Sequence, residues 1–249
     1  MSLNTDNVDR KNLILRQLPR GDYARLLPDL TLVTLQVGDH LYRSGEVIEY
    51  CYFPGNSLVS LVTHMNRGAS IEVAVIGSDG MVGIPVLLGD DIAFEEAIVQ
   101  VTGSALRLRS SVLKRLVQRA HSPLLTLLLL YTRVLMKQVI QTAACNRIHN
   151  ERERLARWLL MCSDRLQSDE LQLTPQFLLD VLALPTENVA TAAGDIEEQG
   201  LIRCGPGIVE ILTRDGLEEA ACECYRIGVT NTKQSGVLFE TIQPRAANE

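Results

Sequence analysis

The sequence predicts an α+β fold: an N-terminal antiparallel sandwich or roll, one long helix, and a C-terminal unit of two short helices and a β-hairpin. Three observations predict it. From about Arg20 to Leu108, short apolar stretches recur between turn signals. After Arg109 the apolar period becomes helical, and Gly and Pro are absent from Leu124 to about Ala144. From Thr174 onward, Pro and Gly punctuate the chain at the spacing of short helices and a hairpin.

The strand candidates come in order. LTLVTLQV precedes Gly38-Asp39, LYR precedes Ser44-Gly45, and YCYF precedes Pro54-Gly55-Asn56-Ser57. LVSLVTHM then ends at Asn66-Arg67-Gly68, IEVAVI at Gly77-Ser78-Asp79-Gly80, and AIVQV at Thr102-Gly103. Such punctuation reads as antiparallel, because parallel strands need long crossovers. Side-chain alternation turns Cys51, Phe53, Leu58, Val59 and Leu61 toward a core. Ser122-Pro123 supplies an N-cap and a proline at the first helical position. The helix that follows, about 22 residues and about 33 Å long, carries Leu124, Leu128, Tyr131, Leu135 and Gln138 at spacings of three and four. That face suits a two-stranded dimerisation helix; a buried core helix is the alternative. In RIHNERERLARWLLMCSDRL a second helix gathers Ile148, Leu155, Trp158, Leu159 and Cys162 on one side.

The next segment is the most informative. Thr174-Pro175 starts a short helix through Leu182, Ala183-Leu184-Pro185 turns, and a new helix begins near Thr186. Gly200 stops it, and Leu201–Cys204 and Ile208–Leu212 pair across Gly205-Pro206-Gly207. This is the outline of a winged helix-turn-helix, whose second helix enters the major groove of DNA. The expected limits are an N-terminal segment at 1–19, the β-roll at 20–119, the dimerisation helix at 120–145, the winged helix-turn-helix at 146–228 and a flexible tail at 229–249.

Composition narrows the function. The chain has 249 residues, 46% hydrophobic and 22% charged, an ordinary globular balance. Only 4% are aromatic, which disfavours a base-stacking platform for single strands. Six scattered cysteines read as reduced thiols of a cytoplasmic protein. The N-terminus has no signal-peptide pattern, and Arg133 and Lys137 cut the longest apolar run, so no membrane span is expected. No nucleophile, base and oxyanion set can be assembled, so no enzyme is expected.

The order of parts resembles the Crp/Fnr transcriptional regulators. The residues that carry the resemblance are VTLQVGDHLYRSGEVIEYCYFPGNSLVSL, GSDGMVGIPVLLG, the long helix, LTPQFLLDVLALPTENVATAAGDIEEQGLI and GLEEAACECY. The resemblance implies a β-roll sensor (a double-stranded β-helix, cyclic-nucleotide-binding-like), a homodimer and a reader of palindromic double-stranded DNA, with RNA polymerase or another protein as a further partner. Cyclic-nucleotide binders of the family use a glutamate in a Gly-Glu-(Leu)-Gly segment and an arginine soon after. Here the first segment is Gly80-Met81-Val82-Gly83, and the second is Glu95-Glu96-Ala97. A thioether accepts no ribose hydroxyl strongly, and two carboxylates repel a phosphate, so cyclic AMP and GMP are not expected. No cysteine precedes Cys51, which excludes an N-terminal iron–sulfur cluster. His40, His64, His121 and His149 are widely separated, and Cys222 and Cys224 are closer than a usual Cys-x-x-Cys pair, so no metal or cofactor is expected.

The reader candidates are Thr186, Glu187, Asn188 and Thr191 for base edges, with Arg203 in the wing. Charge opposes them. From Ser168 to Glu223, twelve Asp and Glu stand against Arg203 and Arg214, a net of −10 that leaves +4 on the rest of the −6 total. Duplex DNA repels such a domain, which keeps a second expectation open: a relative that has lost DNA binding and works as a protein-interaction module.

Overall fold

The computed structural model describes residues 11–65, 70–173 and 186–229, with the side chains of Thr186 and Glu187 left out. The first helix expected from Thr174 to Leu182, its turn at Ala183-Leu184-Pro185 and nearly all of the expected tail lie outside these residues.

Two short helices, α1 (Leu13–Gln17) and α2 (Arg20–Leu26), lead into seven strands: β1 (Thr31–Leu35), β2 (His40–Tyr42), β3 (Tyr50–Pro54), β4 (Leu58–His64), β5 (Ser70–Ile76), β6 (Glu96–Val101) and β7 (Gly103–Arg109), with α3 (Ile84–Leu88) between β5 and β6. All of their ladders are antiparallel. The predicted roll is corrected here, because no sheet closes among the described residues. The strands form two open sheets, β1-β7-β3 and β2-β6-β4-β5, so β1, β3, β2 and β5 remain edges. The cause lies between β6 and β7, where only Thr102 intervenes. Its hydroxyl accepts the Val37 amide at 3.0 Å, and Asn56 Oδ1 accepts the Ser104 amide at 2.8 Å, which hands β7 to the other sheet. Gly103 permits the crossing, since a Cβ there would stand 2.5 Å from the Asn56 carbonyl oxygen.

Between the sheets lies a core that includes Cys51, Phe53, Val59, Met81, Leu106, Leu108 and Leu113. Leu58 does not join it. It packs outward with Val75 and Val101 against the C-terminal helices, so β4 is buried on both faces. Simple alternation assumes one wet face, and here a helix covers it.

After α4 (Ser110–Val117) comes α5 (Pro123–Ile148). The Ser122 hydroxyl accepts the Leu125 amide at 3.3 Å, and Pro123 fills the first turn, as the sequence indicates. By length and composition alone α5 is apolar enough to cross a bilayer. Leu124, Leu127, Leu128, Tyr131 and Leu135 are instead buried against the sheets, the behaviour of a core helix. His149 breaks the helix in an extended conformation. Asn150 then caps α6 (Glu151–Leu166) in a reciprocal capping box with Glu153. Ile148 therefore ends α5 and is exposed, instead of joining the α6 face.

Beyond β8 (Glu170–Leu171) the described chain resumes at α7 (Thr186–Glu198), followed by β9 (Ile202–Gly205), β10 (Ile208–Ile211) and α8 (Arg214–Ala220). The three strands form one sheet, β8-β10-β9, with Ile208 opposite Gly205 across the Pro206-Gly207 turn. Val189, Ala192 and Ile196 of α7 share a core with Leu155, Leu159 and Leu160 of α6.

The same core reaches the sensor sheet. The Trp158 indole N–H donates to Glu72 Oε1 at 3.0 Å, and the Ser60 hydroxyl donates to Glu72 Oε2. Arg165 bonds Asp79 at 3.1 Å, and Ser78 Oγ donates to the Arg165 carbonyl at 2.7 Å. In this arrangement the C-terminal domain is docked on the sensor.

Candidate nucleic-acid interface and sensor cassette

Helix α7 turns Val189, Ala192 and Ile196 inward and leaves Ala190, Thr191, Asp195, Glu197 and Glu198 exposed. Asn188 is half-buried, and its amide donates to Glu151 Oε1 at 3.4 Å. A surface cleft of about 370 Å³ runs here between α6 and α7, lined by Glu151, Arg152, Asn188, Thr191 and Asp195. In the wing, Arg203 pairs with Glu210 across the hairpin at 2.6 Å, so its charge is partly spent within the strand pair. Glu197 Oε1 accepts the Cys204 amide at 2.7 Å, which ties the end of α7 to the wing. Two basic residues of α6 are also committed inward. Arg157 is buried and donates to Thr142 Oγ1 at 3.1 Å, while Arg165 bonds Asp79 and Gln138.

In the sensor, Gly80, Met81 and Gly83 lie at the entrance to α3, and Glu95 and Glu96 lie at the start of β6. Met81 is fully buried in the core. At Gly80 the backbone lies directly against the Tyr131 phenol of α5, where a Cβ would come within 2.3 Å of the hydroxyl oxygen. The Asn12 amide donates to the Gly80 carbonyl at 2.9 Å. Burial raises the Tyr131 hydroxyl far above its ordinary range, and the nearby Asp79 charge adds to this. The segment that holds ribose in nucleotide-binding relatives therefore seats a helix side chain here. Gly80→Ala is expected to lower stability by about 1–3 kcal/mol through overpacking. Gly194→Ala, in α7 with open space around it, is expected to raise stability by roughly 0.5–1 kcal/mol. Denaturant unfolding of both variants checks the pair, and a neutral Gly80→Ala would refute the packing account.

Both carboxylates are buried; Glu96 is partnered at both oxygens and Glu95 at Oε1 alone. Glu95 accepts the Tyr42 hydroxyl at 2.8 Å; burial raises its pKa, and that hydrogen bond opposes the rise. Glu96 sits among His40 Nδ1 at 2.5 Å, His64 Nε2 and Arg43 Nε at 3.6 Å. Burial pushes the Glu96 carboxyl up, but the His64 hydrogen bond and the adjacent His40 prevail and lower it. The two histidines are far apart in sequence, and the β2-β6-β4 pairing brings them onto one carboxylate. The basic groups that reach the cassette are thus gathered on Glu96, where a cyclic phosphate would have to compete with the carboxylate for them.

The five α5 residues predicted for a dimer contact face this chain's own core. Leu124, Leu128, Tyr131 and Leu135 are buried, and Gln138 donates to the Val75 carbonyl at 3.2 Å. The apolar residues that α5 leaves open include Leu129, Met136 and Ile140, which are 50%, 61% and 65% exposed.

The sequence reading missed one further cluster. Cys145 and His149, four residues apart near the end of α5, meet Cys222 and Cys224, with their ligand atoms all within 4.8 Å of one another. The four-residue spacing of Cys145 and His149 was the available signal, since about one helical turn separates them.

Two family models match the chain in order: a cyclic nucleotide-binding domain over residues 32–120 and a Crp-like helix-turn-helix domain over residues 153–220. Among solved structures, a CRP-family transcriptional regulator from Thermus thermophilus is 20% identical with a TM-score of 0.64, covering 76% of this chain and 96% of its own. FixK2 from Bradyrhizobium japonicum is 17% identical with a TM-score of 0.67, covering 78% and 98%. The c-di-GMP-responsive global regulator CLP of Xanthomonas campestris is 15% identical with a TM-score of 0.63, covering 78% and 99%. Curated protein sequences give no match. A cyclic nucleotide-binding-type domain ahead of a Crp-like helix-turn-helix is the layout of a one-chain regulator of transcription. The chain belongs to the Crp/Fnr family of transcriptional regulators.

Proposed function

We propose that this protein regulates transcription in the cytoplasm by binding palindromic double-stranded DNA as a homodimer, and that its sensor takes neither cyclic AMP nor cyclic GMP. One observation carries the DNA reading: the helix-turn-helix match spans 153–220 and contains α7, which this reading takes as the second, base-reading helix. Thr186, Glu187, Asn188 and Thr191 are the residues for base contacts, with Arg203 at the wing. The sensor reading rests on the buried Met81, on Tyr131 filling the space beside Gly80, and on the Glu95–Glu96 pair. Units at 1–19, 20–119, 120–145, 146–228 and 229–249 remain the proposed division. The exposed Leu129, Met136 and Ile140 supply an apolar stripe for a second copy, and the dimer would set the spacing of its two reader helices. RNA polymerase or another protein would be the downstream partner.

A second reading draws on the charge of the reader. A segment of net −10 from Ser168 to Glu223, with Arg157 and Arg165 of the preceding helix α6 engaged inward, suits a protein-interaction module that has lost DNA binding. Titration of the full chain at low salt against the duplex upstream of its own gene, beside a scrambled duplex, separates the two. The regulator binds its own site more tightly, and its affinity falls as salt rises. Equally weak binding to both duplexes with no salt dependence sinks the regulator and leaves the interaction module.

A further inference from the structure

The four-residue cluster at the end of α5 has the composition and geometry of a metal centre. Cys145 lies in the last turn of α5, and His149 caps that helix, its amide donating to the Cys145 carbonyl at 3.1 Å. Cys222 and Cys224 follow α8, one residue apart. Ala221 is extended, so the chain crosses the end of α5 and both thiols reach the same side. Cys145, Cys222 and Cys224 are buried, and the His149 side chain is 11% exposed. The Cys145 and Cys222 sulfurs are 3.6 Å apart, and Cys224 Sγ is 3.6 Å from His149 Nδ1. A tetrahedral ion with Zn–S of about 2.3 Å and Zn–N of about 2.0–2.1 Å has S···S edges of about 3.8 Å and S···N edges of about 3.5 Å. These two separations are close to those edges, all four ligand atoms lie within 4.8 Å of one another, and the sulfur pair is far longer than the roughly 2.05 Å of a disulfide.

The surroundings complete the site. His149 Nε2 lies 3.1 Å from Glu223 Oε2, so the Nε2–H donates to the carboxylate and the Nδ1 lone pair faces the sulfurs. The Gln141 amide donates to Cys224 Sγ at 3.0 Å, the usual support for a metal-bound thiolate. Three thiolates around a divalent ion leave one net negative charge, and Arg157 and Arg154 stand close enough to Cys145 to act on it.

We propose that Cys145, His149, Cys222 and Cys224 form a closed, four-coordinate site for a thiophilic divalent metal, of which zinc is the type. Four protein ligands leave no open position, so the ion is structural and has no catalytic role. It pins the residues after α8 to the last turns of α5, immediately before the break at His149 that leads into α6. The binding reaction exchanges three thiol protons for the ion, and no redox partner is needed.

The test uses the full chain, purified under reducing conditions with zinc in the medium. Elemental analysis is expected to give one zinc per chain, and Cys222→Ser and His149→Ala are expected to lose most of it. Cys204→Ser, at an exposed cysteine, keeps it. Replacing zinc by Co²⁺ in the native chain gives the strong visible absorption of a tetrahedral, thiolate-rich site, a readout that does not depend on a variant folding. Three outcomes overturn the proposal: well under one metal per chain after zinc supplementation, equal metal in Cys222→Ser and the native chain, or an octahedral cobalt spectrum. A Cys145–Cys222 disulfide found by mass mapping of protein purified without reductant, together with no metal in the reduced protein, also overturns it.

Discussion

Between pH 4.5 and about 7 the native chain is expected to lose on the order of 3 kcal/mol of stability that a Glu72→Gln chain keeps. Glu72 is buried beneath α6, and burial raises its carboxyl from 4.5 to about 7; hydrogen bonds from Ser60 and Trp158, and then the charges of Arg165 and Arg157, oppose the rise. The sign follows from proton counting. Above pH 4.5 the unfolded chain releases a proton that the folded chain retains, so unfolding becomes easier as pH rises. Above about 7 both states have released it and the loss is complete. Glutamine carries no proton to release, and it still accepts the Trp158 N–H and bonds Ser60. Other carboxylates and histidines titrate in the same range, so the quantity to read is the difference between the two chains. Urea midpoints at pH 5 and pH 8 supply it, and parallel profiles would refute the role given to Glu72.

Trp158→Ala is expected to cost about 3–5 kcal/mol, the range for deleting a large buried aromatic. Trp158 is 5% exposed, packs in the core shared by the sensor sheet and α6, and donates to Glu72. Alanine leaves a cavity at the junction and takes away one of the two donors to a buried carboxylate. Trp158→Phe keeps most of the ring and loses only the donor, so a smaller cost of about 1–3 kcal/mol is expected. Chemical denaturation ranks the two. If alanine costs no more than phenylalanine, the indole ring is not filling the junction.

What the sequence revealed and what it hid follow from the range of the forces involved. The start of α5 was legible because Ser122 and Pro123 act within one turn, and the hairpin was legible because Gly205-Pro206-Gly207 sets a local turn. The open sheets were not. Whether β7 follows β6 in its own sheet or leaves it is decided by Asn56 and Val37, tens of residues away. Burial of β4 on both faces was hidden for the same reason, since Leu58 shares its core with Leu155 and Trp158 of α6, far along the chain. The cassette residues were found by resemblance, but their partners Tyr42, His40, His64 and Tyr131 come from other strands and from α5. Cys145 and Cys222 are 77 residues apart, and only the fold puts them side by side.

The core that joins Leu58, Val75 and Val101 of the sensor to Trp158, Leu171 and Ile202 of the reader has a consequence for how the molecule comes apart. Two domains that share one apolar interior do not melt independently. Heating is expected to give one calorimetric transition, and a nick at the His149–Asn150 joint should leave two fragments that elute together. Any signal that frees the reader must first separate the two halves of that shared interior, so the energy of the switch is set by the junction as much as by a bound effector.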